Sequence, residues 1–251
     1  MLGRDDTCAE NYYGVSMIIL AIDALEYTLV EEFNCKNLKQ KFYGKTDISQ
    51  YSEPRTMVLW SSFMTGKNME KEILSKGDKE MWNTKINIKD TFFNKFKNPK
   101  IIDLPGFNYD IGQHYKERKL LKKFFDTKNE NGKRDIRSEY NNMAFEHHKK
   151  IRQEFYKVLD GKYDFILGYF SIADVVGHLN FGNKTMMKII YEDLDDIAKN
   201  IKDTHIILSD HGMESVGIFG DHSRHGFWST NFKDLGSPKI TDFANIISQL
   251  R

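Results

Sequence analysis

The chain has 251 residues and a formal net charge of +1, with 29% charged and 40% hydrophobic residues. This length accommodates one large α/β domain, or a core domain with an insertion. The near-neutral charge removes the bulk electrostatic argument for binding nucleic acid or an anionic membrane, and leaves only local patches. The two cysteines, Cys8 and Cys35, form neither a disulfide framework nor a zinc-finger pattern, which predicts a reducing, cytoplasmic location.

The amino-terminal part of the chain has no membrane or secretion signal. Its apolar stretch, residues 15–24, is interrupted by Asp23 and falls short of the roughly 20 apolar residues that a membrane helix needs. We therefore expect no membrane partner. Residues 1–16 carry mixed charges and do not resemble a secretory signal. They are interpreted as a disordered leader that precedes one folded domain at 17–251.

Two early segments place polar side chains at the ends of apolar runs. Residues 17–22 predict a buried strand that ends at Asp23. Farther along, Pro54 keeps the chain extended, and apolar residues at helical spacing up to Gly66 place Thr56 at a helix amino terminus. Free N–H groups at that position favour a phosphate, which the Thr56 hydroxyl could attack. Taken alone, Asp23 and Thr56 are also residue types that cap helices.

The middle of the chain, residues 67–134, has weak periodicity. A strand is predicted at 99–104, and residues 128–134 are interpreted as a solvated loop. A basic run in this segment predicts either a solvated helix face or a small cap that holds a phosphorylated substrate. The run consists of Lys116, Arg118, Lys119, Lys122 and Lys123.

A long amphipathic helix is predicted at 139–159, with His148 partly buried on its apolar stripe and His147 exposed. Neighbouring helix residues point about 100° apart, so neither histidine is predicted to bind a metal. Residues 163–172 predict another apolar strand. It is followed by Asp174 and His178, whose four-residue spacing lets both reach one ion from a helix.

After a second amphipathic helix at 184–201, residues 204–208 predict a buried parallel strand. This strand delivers Asp210 and His211 at its carboxyl end, where open α/β sheets place their ligands. His222 follows as a further candidate ligand, with His225 as the alternative. The chain is expected to end with an edge strand at 226–229 and a closing helix at 241–250.

Together these segments supply three carboxylates, three histidines and one hydroxyl, enough for two adjacent zinc-like sites. In this order the chain resembles the alkaline phosphatase superfamily, in its type I phosphodiesterase and nucleotide pyrophosphatase branch. The resemblance covers most of the chain from residue 17 onward and implies a doubly wound α/β/α sandwich with a reduced cap at about 67–134. Its motifs are strand-Asp23, Pro-x-Thr56 with Thr65-Gly66, Asp174-x3-His178, Ser209-Asp210-His211-Gly212-Met213, and His222.

The resemblance also implies a metal-dependent hydrolase that acts on a phosphoester or nucleotide. Thr56 would attack phosphorus and form a phosphothreonine intermediate that water hydrolyses. His222 is preferred over His225 because Gly220-Asp221-His222 resembles the Gly-Thr-His of the family. Two divalent ions are implied, Zn²⁺ first and Mn²⁺ as the alternative, one held by Asp23, Thr56, Asp210 and His211, the other by Asp174, His178 and His222.

The chain departs from the pattern of this family in three places: its cap is reduced, its last ligand has two candidates, and one phosphate contact is missing. The Asn that touches phosphate after the Thr-Gly pair has no clear counterpart, and Asn68 and Asn83 are the nearby candidates. Phosphoglycerate mutases use a Ser and a large inserted domain, and the sulfatase motif is absent around Thr56. Two alternatives stay open: a phosphomonoesterase or phosphomutase-related enzyme of the same superfamily, and a metal-free α/β binding module.

Overall fold

A computed structural model describes residues 17–202 and 204–250. The predicted leader at 1–16 lies outside these residues. Within them, the expected mixed α/β architecture is confirmed, with six strands in a central sheet and a separate two-stranded hairpin. The strands are β1 (Met17–Ile22), β2 (Phe42–Asp47), β3 (Pro99–Ile102), β4 (Phe165–Phe170), β5 (His205–Ser209), β6 (Gly212–Val216), β7 (Phe219–Ser223) and β8 (His225–Thr230).

The helices vary widely in length, and four short 3-10 turns join them. Among the described residues, no helix combines the length and apolarity needed to cross a bilayer. The helices are α1 (Tyr27–Glu32), α2 (Lys36–Lys39), α3 (Thr56–Thr65), α4 (Glu70–Leu74), α5 (Gly77–Glu80), α6 (Ile111–Asp126), α7 (Glu130–Leu159), α8 (Ile172–Asn180), α9 (Lys184–Lys199) and α10 (Phe243–Gln249).

The central sheet has helices on both faces because its inner strands are apolar on both sides. Ile18 and Leu20 of β1 pack into a core shared with α7, α8 and α9. Ile19 and Ala21 point the opposite way, into a core shared with α3 and α10. Side chains alternate between the two faces of a strand, so an unbroken apolar run needs cover on both faces.

The strand order is β2-β8-β5-β1-β4-β3. Strands β3, β4, β1 and β5 are parallel, whereas β8 runs antiparallel to both β5 and β2. The prediction that 226–229 form an edge strand is therefore wrong. Trp228 pairs with Leu208 on one side and Gly44 on the other. The edge position belongs to β2, which was not predicted.

Helix α7 corrects two predictions made for its region. It begins at Glu130, where the Asn129 side chain accepts a hydrogen bond from the Asn131 N–H, so much of the predicted loop at 128–134 is helical. His147 was predicted to be exposed but is buried, with Nε2 2.7 Å from Asp103 Oδ2. The reason is that α7 packs against α6 as well as against the sheet, which buries more than one stripe. His148 is partly buried, as expected.

The segment proposed as a cap, 67–134, is not one continuous insertion. It contains α4, α5 and α6, but it also contains β3, which pairs with β4 at the edge of the central sheet. The parts that can cover a site are therefore the stretches before and after β3. Helix α6 packs along α7, which fixes its position above the carboxyl ends of the strands.

Candidate metal centre and active site

The carboxyl ends of three neighbouring strands bring the predicted site residues together. The register places Ile22 of β1 beside Phe170 of β4, and Ala21 beside Leu208 of β5. Asp23 follows β1 directly, and Asp210 follows β5. Helix α8 begins just after β4 and carries the remaining carboxylate. Parallel strands thus deliver their polar termini to one edge of the sheet.

The first group of side chains surrounds the His211 imidazole. His211 Nε2 lies 3.2 Å from Asp23 Oδ1, 3.4 Å from Asp210 Oδ2 and 3.2 Å from Thr56 Oγ1. All four residues are buried. Burial, followed by the charge of His222, lowers the pKa of His211 to about 3. Its ring is therefore neutral near pH 7 and able to act as a ligand.

The second group lies around Asp174. Its Oδ1 is 3.4 Å from His178 Nε2, one turn along α8, and 3.2 Å from His222 Nε2 on β7. The hairpin β6–β7 packs against α8 and brings His222 to this position. The His222 ring stacks on His211, with centroids 3.9 Å apart. Ligand atoms of Asp23, Asp174 and His211 also lie within 4.8 Å of one another, so the two groups adjoin and share Asp174.

The orientation of the three histidines favours metal binding. In each ring, Nδ1 faces a backbone carbonyl and Nε2 faces the carboxylates. Because a carbonyl can only accept, Nδ1 carries the hydrogen and a neutral ring presents its Nε2 lone pair. Metal-binding histidines in proteins are commonly held in this way. The contacts join His178 to Gly220 (3.2 Å), His211 to Gly212 (3.0 Å) and His222 to Pro54 (2.7 Å).

Several buried polar atoms of the site have no hydrogen-bond partner among the described residues. They are Asp23 Oδ1, Asp174 Oδ1, both carboxylate oxygens of Asp210, and His222 Nε2. Leaving one such atom unpaired costs about 1–3 kcal/mol, and more when it is charged. Ligands held about 2.1 Å from a tetrahedral ion stand about 3.4 Å apart, and the contacts above span 3.2 to 3.4 Å. The donor set therefore fits zinc-like divalent ions.

Protons balance these charges in the ion-free protein. Burial, with the charge of Asp174 second, raises the pKa of Asp23 to about 7. Burial and the charge of Asp23 raise the pKa of Asp210 well above its usual range. Burial also acts to raise the pKa of Asp174, but His178 and His222 hold it well below 3.8. In turn, Asp174 overcomes the effect of burial and raises the pKa of His222 to about 9.

These shifts predict that zinc binding releases protons. With pKa values of about 9 for His222 and about 7 for Asp23, His222 is protonated and Asp23 is partly protonated near pH 7, and an ion that binds must displace these protons. Zinc affinity should therefore rise from about pH 6.5 to 8.5, as fewer protons have to leave. Calorimetric titrations in buffers of different ionisation enthalpy measure the protons released. An affinity that does not change over this pH range would contradict the assignment of these ligands.

Two adjoining cavities lead to the site. A small one, about 60 Å³, is lined by Asp23, Thr56, Asp174, His178 and His222 with residues of α6. A larger one, about 880 Å³, opens outside it. The cavities share Thr56, Trp82, His114, Arg118 and His222. Asn68 and Asn83, the candidate phosphate contacts, are exposed and line neither cavity.

No protein-family model matches the chain, and no curated protein sequence matches it. Among solved structures, the chain is similar to murine ectonucleotide pyrophosphatase / phosphodiesterase 5, with a TM-score of 0.43 and 12% identity. The match covers 80% of this chain and 58% of the murine chain, so this chain spans less than two thirds of that protein.

Helix α6 contributes cavity residues that sequence reasoning missed. His114 stacks on Trp82 with ring centroids 3.7 Å apart, and burial, followed by the charge of Arg118, lowers the pKa of His114 to about 4. Burial raises the pKa of Glu117 to about 7. His114 and Glu117 share a buried stripe with Leu120 and Phe124, at spacings of three and four residues. That stripe is the signal that could have identified them.

His225, the alternative last ligand, lies apart from both groups. It begins β8, and its Nε2 is 3.5 Å from Glu26 Oε1. His222, one strand earlier, lies beside Asp174 instead. The two histidines are separated because they belong to different sheets. His222 lies in β7 of the hairpin, and His225 follows Arg224 and begins β8 of the central sheet. The geometry thus favours the first choice.

Proposed function

We propose that the chain is a metal-dependent phosphoesterase of the phosphodiesterase and nucleotide pyrophosphatase type, with Thr56 as its nucleophile. One observation carries the proposal. Three imidazoles, each anchored through Nδ1 to a carbonyl, present Nε2 to buried carboxylates, several of whose oxygens have no hydrogen-bond partner among the described residues, beside the Thr56 hydroxyl. Zinc as the metal, and a cytoplasmic location, stay predictions from the sequence.

The proposed ligand sets follow the two groups of side chains. Asp23, Asp210 and His211, with Thr56, would hold one ion, and the residues around Asp174 would hold the other. When bound, two divalent ions lower the pKa of a hydroxyl and neutralise charge on a transferring phosphoryl group. The second set is Asp174, His178 and His222.

Thr56 is well placed to act as the nucleophile. It begins α3, and no side chain caps the first turn of that helix, so backbone N–H donors are left for a phosphate. In the first step the Thr56 oxygen attacks phosphorus and the ester's leaving group departs. In the second step water attacks the phosphothreonine and restores the hydroxyl. Helix α3 is buried along most of its length, which keeps Thr56 in one position.

The size of the outer cavity favours a diester or nucleotide over a small monoester. Its volume of about 880 Å³ lies within the range of roughly 300–1,000 Å³ that holds drug-sized ligands. Phosphate alone would leave most of it empty. The stacked rings of Trp82 and His114 line the cavity together with the α6 cations Arg118, Lys119 and Lys122. A substrate with an organic group on each side of phosphorus would use this space.

The test is a comparison of substrates with the zinc-loaded chain. We expect bis(4-nitrophenyl) phosphate and a nucleoside triphosphate to be hydrolysed with higher kcat/KM than 4-nitrophenyl phosphate. The reverse order would favour the phosphomonoesterase alternative. A chain that binds no zinc and hydrolyses none of the three would support the binding module.

A second prediction concerns the basic residues of α6. Arg118, Lys119 and Lys122 line the outer cavity, whereas Lys116 and Lys123 line neither cavity. Changing the first three to Ala should raise KM for an anionic diester about tenfold, with a smaller fall in kcat, because charges that attract substrate are lost. The matched control changes Lys116 and Lys123 to Ala. Equal KM values in the two variants would indicate that all five basic residues belong to a solvated helix face and do not attract substrate.

A further inference from the structure

We propose that Glu26 is a positioning residue for the metal centre: its carboxylate holds together the three chain segments that carry Asp23, His211 and His222. The inference rests on the proposed function, because it assigns Glu26 a part in building that same site. Sequence reasoning gave Glu26 no role, and it is not one of the ligands.

The two oxygens of Glu26 bond to three different segments. Oε1 accepts hydrogen bonds from the backbone N and the hydroxyl of Thr28, both at 2.9 Å. Oε2 accepts one from the Met213 backbone N at 3.1 Å and one from the Ser223 hydroxyl at 3.2 Å. The carboxylate therefore joins the loop after β1 to both strands of the β6–β7 hairpin.

Each segment carries a proposed ligand close to its bond with Glu26. Glu26 itself follows Asp23 by three residues, Met213 follows His211 by two, and Ser223 is the neighbour of His222. Consecutive Cα atoms are about 3.8 Å apart, so a displacement of either donor is passed to a ligand within one or two peptide units. One carboxylate thus sets the relative positions of ligands from both ion groups.

Glu26 is charged and enclosed, which makes these bonds hard to exchange for water. Its side chain is 4% exposed. Burial acts to raise the pKa of Glu26, but contacts with His225 and Thr28 lower it to about 2. Hydrogen bonds to an ionised acceptor are about twice as strong as neutral ones. Any movement of the hairpin would leave a buried charge short of donors.

Close packing at Gly212 independently supports the proposed role of Glu26. A Cβ atom on Gly212 would lie 2.3 Å from Glu26 Oε2 and 2.6 Å from Ser223 Oγ. The backbone at the start of β6, directly after His211, is therefore in contact with the carboxylate, and no space is left for a side chain between them. Such close contact is expected if the Glu26 carboxylate fixes the position of the backbone at Gly212.

Glu26→Gln is the diagnostic change because it keeps the size of the side chain. The amide nitrogen of Gln donates and cannot accept, so one of the two pairs of donors loses its acceptor. Asp195→Asn is the matched control. Asp195 accepts three hydrogen bonds, against four for Glu26, from Asn37 N, Asn37 Nδ2 and Leu38 N. It joins α9 to α2, and neither helix carries a proposed ligand.

The experiment measures Zn²⁺ affinity of the full chain by competition with a chromophoric chelator, at a temperature where all variants are folded by circular dichroism. We expect Glu26→Gln to raise the Kd for zinc about 10- to 100-fold, the range seen when groups that orient metal ligands are changed. Asp195→Asn should change the Kd less than twofold, although both variants lose thermal stability. Zinc bound equally well by wild type and Glu26→Gln would overturn the inference alone.

A second pair of variants tests the positioning role of Glu26 if Glu26→Gln does not fold. Ser223→Ala removes the bond that reaches the His222 segment, whereas Thr28→Val removes only a local bond between Glu26 and the first turn of α1. Ser223→Ala should raise the zinc Kd at least about threefold and Thr28→Val should not. Equal Kd values in this pair would overturn the inference. A wild-type chain that binds no zinc would overturn both the inference and the proposed function.

Discussion

Thr56→Ala is expected to lower kcat for phosphodiester hydrolysis by about three orders of magnitude or more, because it removes the attacking oxygen. Zinc content should fall only modestly, since the carboxylates and histidines are unchanged. Thr56→Ser should keep part of the activity, because it retains the oxygen and loses only the methyl group that restricts its rotamer. Steady-state kinetics of zinc-loaded variants, with metal analysis of the same samples, measure both effects.

Two neighbouring serines provide the controls for this experiment. The Ser62 hydroxyl donates to the Val58 carbonyl at 2.7 Å and accepts a hydrogen bond from the Met69 backbone N. Both its donor and an acceptor position are therefore already used in structural hydrogen bonds. Ser61 is buried in the same helix, and neither serine lines either cavity. Wild-type turnover in Thr56→Ala, with Ser61→Ala inactive, would refute the assignment of the nucleophile.

Asp174→Asn is expected to have the second large effect, because Asp174 belongs to both groups of ligands. We expect zinc stoichiometry to fall from about two ions to less than one, and kcat to fall about a thousandfold or more. Asp193→Asn serves as control, since Asp193 pairs with His148 and Arg152 outside the site. Two tightly bound ions in Asp174→Asn would contradict the shared role of this carboxylate.

The same variant separates metal binding from folding. Asp174 repels the buried carboxylates of Asp23 and Asp210, but His178 and His222 hold its own pKa well below the usual range, so its charge stabilises the ion-free fold near pH 7. Ion-free Asp174→Asn should therefore be less stable than ion-free wild type. Wild type should gain about 2.7 kcal/mol at a zinc concentration 100 times its Kd, and the variant should gain little. Thermal unfolding with and without zinc tests both statements.

The sequence predicted the inner strands well because their environment is simple. Strand β1 covers the predicted residues 17–22, and β5 lies within one residue of 204–208. Both strands are buried on two faces, so their central residues are apolar. The ends of these strands were predictable for the same reason, and polar residues such as Asp23 stand out against them.

Elements that are partly buried and partly exposed could not be predicted from the sequence. Strand β2 contains Lys45 and Thr46 and is only partly buried, because it has a single neighbour at the sheet edge. Hairpin β6–β7 exposes Glu214 and Asp221, so its pattern looks like a loop. Glu26 caps α1, but Glu is not a residue type that the sequence marks as a cap. Its bonds to Met213 and Ser223 depend on long-range folding that local patterns do not encode.

The order β2-β8-β5 has a consequence for how the chain is made. Strand β2 leaves the ribosome early, but its partner in the sheet, β8, is synthesised close to the end of the described chain. Until β8 inserts, the edges of both β2 and β5 are open, and pairing across such a long loop is slow. His222 lies just before β8, so it reaches Asp174 at about the same time. A nascent chain therefore completes its sheet and brings His222, a proposed metal ligand, to Asp174 in one late event, and until then the edges of β2 and β5 are unpaired.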